Sequence, residues 1–120
     1  MGRPVIHFEI GVTDLGRLSK FYSDLFEWDI KTDDRGYGLV MTGSTIGING
    51  GLLKTRQGVP PYVTMYIHVD DLNVELEKIE QHGGKTVVPP MPIQGVGSFA
   101  LFSDPDGNMV GLMHEDVLSA

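Results

Sequence analysis

Two stretches of this chain repeat one pattern, and a repeat restricts the fold more tightly than any composition does. VIHFEIGVTDL at 5–15 and YVTMYIHVDDL at 62–72 each read as an alternating strand that ends in Asp-Leu at the start of a helix. The first helix carries apolar Leu15, Leu18, Phe21, Tyr22, Leu25 and Phe26; the second carries Leu72, Leu76 and Ile79 and stops at Gly83-Gly84. Apolar residues at such spacing form a stripe that must be buried. A helix with a few strands is too small to stand confidently alone, so the two repeats are expected to share a core. The 120 residues then form a single α+β domain, 1–120, with internal repeats at 5–58 and 62–116. Equivalent positions in the two repeats are where paired ligand groups would converge.

Alternation assigns the faces. In the first strand Ile6, Phe8, Ile10 and Val12 share the face expected under a helix, and His7, Glu9 and Gly11 share the other. The second repeat splits Val63, Met65, Ile67 and Val69 from Tyr62, Thr64, Tyr66 and His68. The polar faces either meet water or line a cavity. Strands are expected near 27–33, 36–42 and 45–53, and again near 84–88, 97–103 and 108–114, so each repeat reads βαβββ. Pro89-Pro90-Met91-Pro92 lacks ladder donors and belongs to an edge or an extended loop, while Val59-Pro60-Pro61 is the joint between repeats. Asp104-Pro105-Asp106-Gly107 has the residues of a tight turn into the last strand.

Charge and motifs remove several function classes. A net charge of −7, with no Lys/Arg cluster, is the wrong footprint for nucleic acid. Asp33-Asp34, Asp70-Asp71, Glu75, Glu77 and Glu80 read as solvated turns and helix surface, although an acidic surface also attracts a cationic small molecule. The absence of cysteine removes disulfides, thiol nucleophiles and Cys-based metal sites. The N-terminus enters a strand without a signal-like apolar stretch and nothing approaches a membrane span, so a cytoplasmic protein with no membrane partner is expected. Gly47-Ile48-Asn49-Gly50-Gly51 lacks the Gly-Lys-Ser/Thr ending of a phosphate loop and reads as close backbone packing or approach to a ligand. His82 sits where a helix C-terminus favours an imidazolium, and His114 lies near the chain end.

HFEIGVTDLGRLSKFYSDLFEW at 7–28, VDDLNVELEKIEQHGGK at 69–85 and DPDGNMVGL at 104–112, set in the doubled βαβββ frame, resemble the vicinal oxygen chelate superfamily. That superfamily includes glyoxalase I, extradiol dioxygenases and the fosfomycin and bleomycin resistance proteins. The resemblance implies a U-shaped, incompletely closed barrel around a small-molecule cavity, and a homodimer. It also implies, in metal-dependent members, one ligand from the first strand and one from the last strand of each module. His7 fits the first of these positions, Thr64 is its partner by repeat, Gly111 stands where a carboxylate is usual, and the remaining position falls in Ile48-Asn49-Gly50-Gly51. Three of four ligands are missing, so no cofactor is expected. A rebuilt divalent-metal site would have to draw on His7, Glu9 and His68, two imidazoles and a carboxylate.

The expected function is binding or sequestration of a small organic molecule without a metal, as the resemblance to bleomycin resistance proteins implies. His7 and Glu9 are the reactive candidates; Thr64, Tyr66, His68, Met109, Gly111 and Met113 would contact the ligand, with the methionines beside Gly111 supplying deformable apolar volume. The alternative is a glyoxalase-like lyase or isomerase, or a dioxygenase-related enzyme, with His7 or His68 as general base, Glu9 orienting it and Tyr66 as the available donor.

Overall fold

The computed structural model describes residues 2–93 and 96–115. The elements run β1 (Val5–Val12), α1 (Leu15–Phe26), β2 (Asp29–Thr32), β3 (Tyr37–Met41), β4 (Gly50–Lys54), β5 (Tyr62–His68), α2 (Leu72–Gln81), β6 (Lys85–Ile93), β7 (Gly97–Ser103) and β8 (Met109–Glu115). The fold is α+β, with βαβββ written twice. Two compact units result: residues 7–64, and the described residues within 1–6 and 65–120. Among the described residues no helix is long and apolar enough to cross a membrane.

Both helices start where the Asp-Leu signal places them. Asp14 accepts the Arg17 backbone N–H at 3.1 Å, and Asp71 accepts that of Val74 at 3.1 Å. Each carboxylate satisfies a donor that the first turn leaves unpaired, an effect of about 1 kcal/mol. The α1 chain turns at Glu27 in the left-handed region, φ 57°, and α2 ends at His82, followed by Gly83 at φ 94°. The His82 ring N–H donates to the Lys78 carbonyl at 2.6 Å, a cap on the last turn.

In the first unit the strands lie in the order β2-β3-β4-β1, with β1 and β4 parallel and the other pairs antiparallel. Val12, Val40 and Leu52 are its buried centre; Phe8, Ile10, Leu15, Leu18, Tyr22, Trp28 and Ile30 pack around them. The indole of Trp28 stacks on Tyr22 at 5.3 Å and lies 5.4 Å from Phe8, closing that core with aromatic surface. In the second unit the order is β5-β8-β7-β6, with β5 and β8 parallel. Val69, Leu72, Leu76, Ala100 and Leu112 form its core. Each unit has its own buried cluster, because each helix lies on strands of its own repeat.

Four expectations are altered. Strand β4 begins at Gly50 rather than near 45, because side chains consume the preceding backbone donors. Asn49 Oδ1 takes the Thr42 N–H, Thr42 Oγ1 takes that of Ser44, and Ser44 Oγ takes that of Ile46. Strand β6 runs on through Pro89, Pro90 and Pro92 to Ile93; it is an edge, paired only with β7, and its register shifts between Thr86 and Val88 and between Val88 and Met91. Prolines are tolerated there because an edge leaves one row of donors unused. The apolar face of β5 is not covered along its length: Val63 is 76% and Met65 41% exposed, since α2 packs on β6, β7 and β8. On α1, Leu15, Leu18 and Tyr22 reach the core, whereas Phe21, Leu25 and Phe26 remain more than half exposed.

Candidate binding site

The polar face of β1 assembles in the first unit. Sheet register places Glu9 beside Gly51, Gly51 beside Leu39, and both Gly11 and Tyr37 beside Leu53. On this face Tyr37 reaches back across Gly51, so that a Cβ added at Gly51 would fall on the Tyr37 hydroxyl. The hydroxyl thereby comes to His7, 2.9 Å from Nε2. Tyr62 lies over Gly11 in the same manner and donates its hydroxyl to Glu9 Oε2 at 2.6 Å. Two strand glycines therefore serve as slots for two tyrosines. Each phenol ends on one of the two polar side chains of β1.

Burial decides the charge states. Glu9 is only 5% exposed, so its carboxylate requires a donor, and the short bond from Tyr62 supplies one. Burial pulls the His7 imidazole below its ordinary value, which leaves the ring neutral at neutral pH. Tyr37 is pushed up to about 12, first by burial and then by the charges of Glu9 and Asp33. Tyr62 is pushed up as well, by burial, then by its bond to Glu9 and that carboxylate's charge, then by Tyr37. The face thus combines a buried carboxyl group that accepts from Tyr62, an imidazole held below its ordinary value and two phenols that keep their protons.

The second unit carries the repeat of this arrangement with other chemistry. Tyr66 pairs with Gly111 as Glu9 pairs with Gly51, which makes Gly51 and Gly111 equivalent last-strand positions. A Cβ at Gly111 would run into the Tyr66 ring, so the space beside Met109 and Met113 is tyrosine rather than deformable volume. His68 pairs in register with buried Met113, and its ring stacks on His114 at 5.9 Å. Its Nε2 is buried without a hydrogen-bond partner among the described residues, while His114 Nδ1 donates to the Val69 carbonyl at 3.1 Å.

Of the residues singled out in the sequence, His7, Glu9 and Thr64 fall in the first unit, and Thr64 is buried at 7% exposure. Tyr66, His68, Met109, Gly111 and Met113 fall in the second. The His7, Glu9 and His68 set is not a feature of either unit. Among the described residues no group of three His, Asp or Glu side chains could hold a metal ion. At Gly51 and Gly111 tyrosines stand where a carboxylate's Cβ would project. Tyr37 and the full role of Tyr62 were missed. Their signals were strand glycines that mark a close approach: Gly51, approached by Tyr37, and Gly11, approached by Tyr62.

Comparison with known proteins agrees with this architecture. The sequence model described as Glyoxalase/Bleomycin resistance protein/Dioxygenase superfamily matches residues 5–112. "Anthracycline biosynthesis protein DnrV" of Streptomyces peucetius is 27% identical, over 92% of this chain and 46% of that protein. "Putative glyoxylase CFP32" of Mycobacterium tuberculosis is 31% identical, over 87% of this chain and 42% of that protein. The chain therefore spans under half the length of these relatives. Among solved structures, hypothetical protein BH1468 from Bacillus halodurans C-125 aligns with a TM-score of 0.71 at 13% identity, covering 97% of this chain and 96% of that one, a likeness of fold.

Proposed function

The chain belongs to the Glyoxalase/Bleomycin resistance protein/Dioxygenase superfamily, and from that premise we propose that it binds a small organic molecule on the polar face of β1 without a metal. One observation carries this reading: tyrosines fill the space over Gly51 and Gly111, where the superfamily's last-strand ligands would project. What the face offers instead is hydrogen bonding, with Glu9 as acceptor, His7 as an uncharged imidazole, and Tyr37 and Tyr62 beside them. A ligand with a cationic or hydroxyl donor suits the carboxylate, and the net charge of −7 favours its approach. The name of the Streptomyces relative makes an anthracycline a rational first probe.

The test uses untagged protein. Elemental analysis and calorimetric titration with nickel, manganese and zinc should find no stoichiometric metal. Thermal shift with an anthracycline and with a small dicarbonyl compound should raise Tm for a true ligand, by a free energy that grows as the logarithm of its concentration over Kd. Stoichiometric metal whose loss follows His7→Ala would overturn the reading. A second reading, proton transfer beside a carbonyl, is favoured by one observation: a neutral imidazole stands 2.9 Å from a protonated phenol, a base next to an acid. Exchange of the α-proton of a dicarbonyl probe with deuterated water, lost in His7→Gln, would support it.

A further inference from the structure

The bond between His7 Nε2 and the Tyr37 hydroxyl separates these two readings, because it can be made in two ways that leave the imidazole with opposite properties. If Nε2 carries the proton, the ring donates to the phenol oxygen and its lone pair lies at Nδ1. If the phenol donates, the lone pair is consumed at Nε2 and the ring proton lies at Nδ1. An uncharged imidazole nitrogen is a strong acceptor, and a phenol O–H is a better donor than its oxygen is an acceptor. The geometry is built in rather than adopted by chance: Gly51 has no side chain, Tyr37 crosses it, and any Cβ there would displace the hydroxyl.

We infer that Tyr37 is a positioning residue that holds His7 as its Nδ1–H tautomer, engages the Nε2 lone pair and thereby withholds from the site the base that proton transfer would need. The partner of one ring nitrogen sets the state of the other, which is how a neighbouring group assigns a histidine to a role. This inference rests on the binding reading and deepens it.

The experiment reads the tautomer directly. Long-range proton–nitrogen correlation spectra of the full chain, recorded at slightly alkaline pH and assigned through the signals lost in His7→Gln, should show Nδ1 in the protonated-nitrogen range and Nε2 in the unprotonated range. In Tyr37→Phe the pattern should move toward the Nε2–H form. Gly51→Ala retains the phenol but pushes it off His7, so it should move the pattern in the same direction. A protonated Nε2 in the wild-type protein, or a His7 pattern unchanged in both variants, overturns the inference. The wild-type spectrum decides even if a variant fails to fold. An anthracycline titrated into the wild-type sample tests the binding reading separately: perturbed His7 signals support it, and an absence of binding removes the proposed function while leaving the tautomer result standing.

Discussion

Gly111→Ala should reverse the sign of its effect on stability according to what stands at position 66. In the wild-type protein the added methyl enters the Tyr66 ring, and Tyr66 is buried at 5% exposure on a strand paired with β8, so it has little room to withdraw. Overpacking of this kind costs about 1–3 kcal/mol. In a Tyr66→Val background the ring is gone and the space is open. Gly111 has no left-handed φ to forbid a side chain, so alanine gains about 0.4–1 kcal/mol by restricting the unfolded chain. The coupling in a double-mutant cycle should then be about 1.4–4 kcal/mol, far above the error of the method. Urea denaturation of the four proteins is the assay, with m held as a check that each unfolds in one step. Losing the ring costs stability in both halves of the cycle and cancels. Equal destabilisation by Gly111→Ala in both backgrounds would refute the view that tyrosine has taken the carboxylate's place in this unit.

Tyr62→Phe strips the buried Glu9 carboxylate of the donor at 2.6 Å and should destabilise by about 1–3 kcal/mol, measured by the same denaturation. His7 should make stability fall on acidification: burial holds its folded pKa below the ordinary 6.5 of an imidazole, so the unfolded chain binds the extra proton first, and the loss begins as pH drops through 6.5. Tyr37 should do the opposite at high pH. Its folded pKa of about 12 exceeds the unfolded value of 10.0, so its contribution is intact below 10 and is lost progressively up to about 12. Melting curves across both ranges check the signs, and His7→Gln and Tyr37→Phe should flatten the respective limbs. Asp14→Ala removes a helix N-cap and should lower stability by about 1 kcal/mol without altering the His7 spectra.

What was legible from the sequence is what depends on neighbours along the chain. Asp14 and Asp71 announce helices because a cap needs only the next three residues, and parity alone puts His7 and Glu9 on one face of β1. The prolines of β6 excluded a central strand, leaving an edge or an extended loop, because the lost donors are their own, and β6 is an edge. What stayed hidden depends on groups that meet across the sheet. Nothing local says that Asn49, Thr42 and Ser44 will take backbone donors and delay β4 to Gly50. Nothing local aims Tyr37 at His7, thirty positions away in the chain.

The duplication carries the same lesson into chemistry. A repeated backbone gives two equivalent pairings, Glu9 with Gly51 and Tyr66 with Gly111, and in both the glycine is what allows a tyrosine to lie across the last strand. The slots match, but the tyrosines reach them differently. Tyr66 belongs to the strand beside its glycine, and its ring fills the slot in a unit whose imidazoles stack on each other. Tyr37 comes from the opposite neighbour, β3, and its hydroxyl passes beyond the slot to an ionisable partner on β1. The second geometry couples a phenol to a group that can change charge or tautomer near neutral pH. The binding proposed above therefore draws on the unit of residues 7–64, where this phenol and imidazole meet.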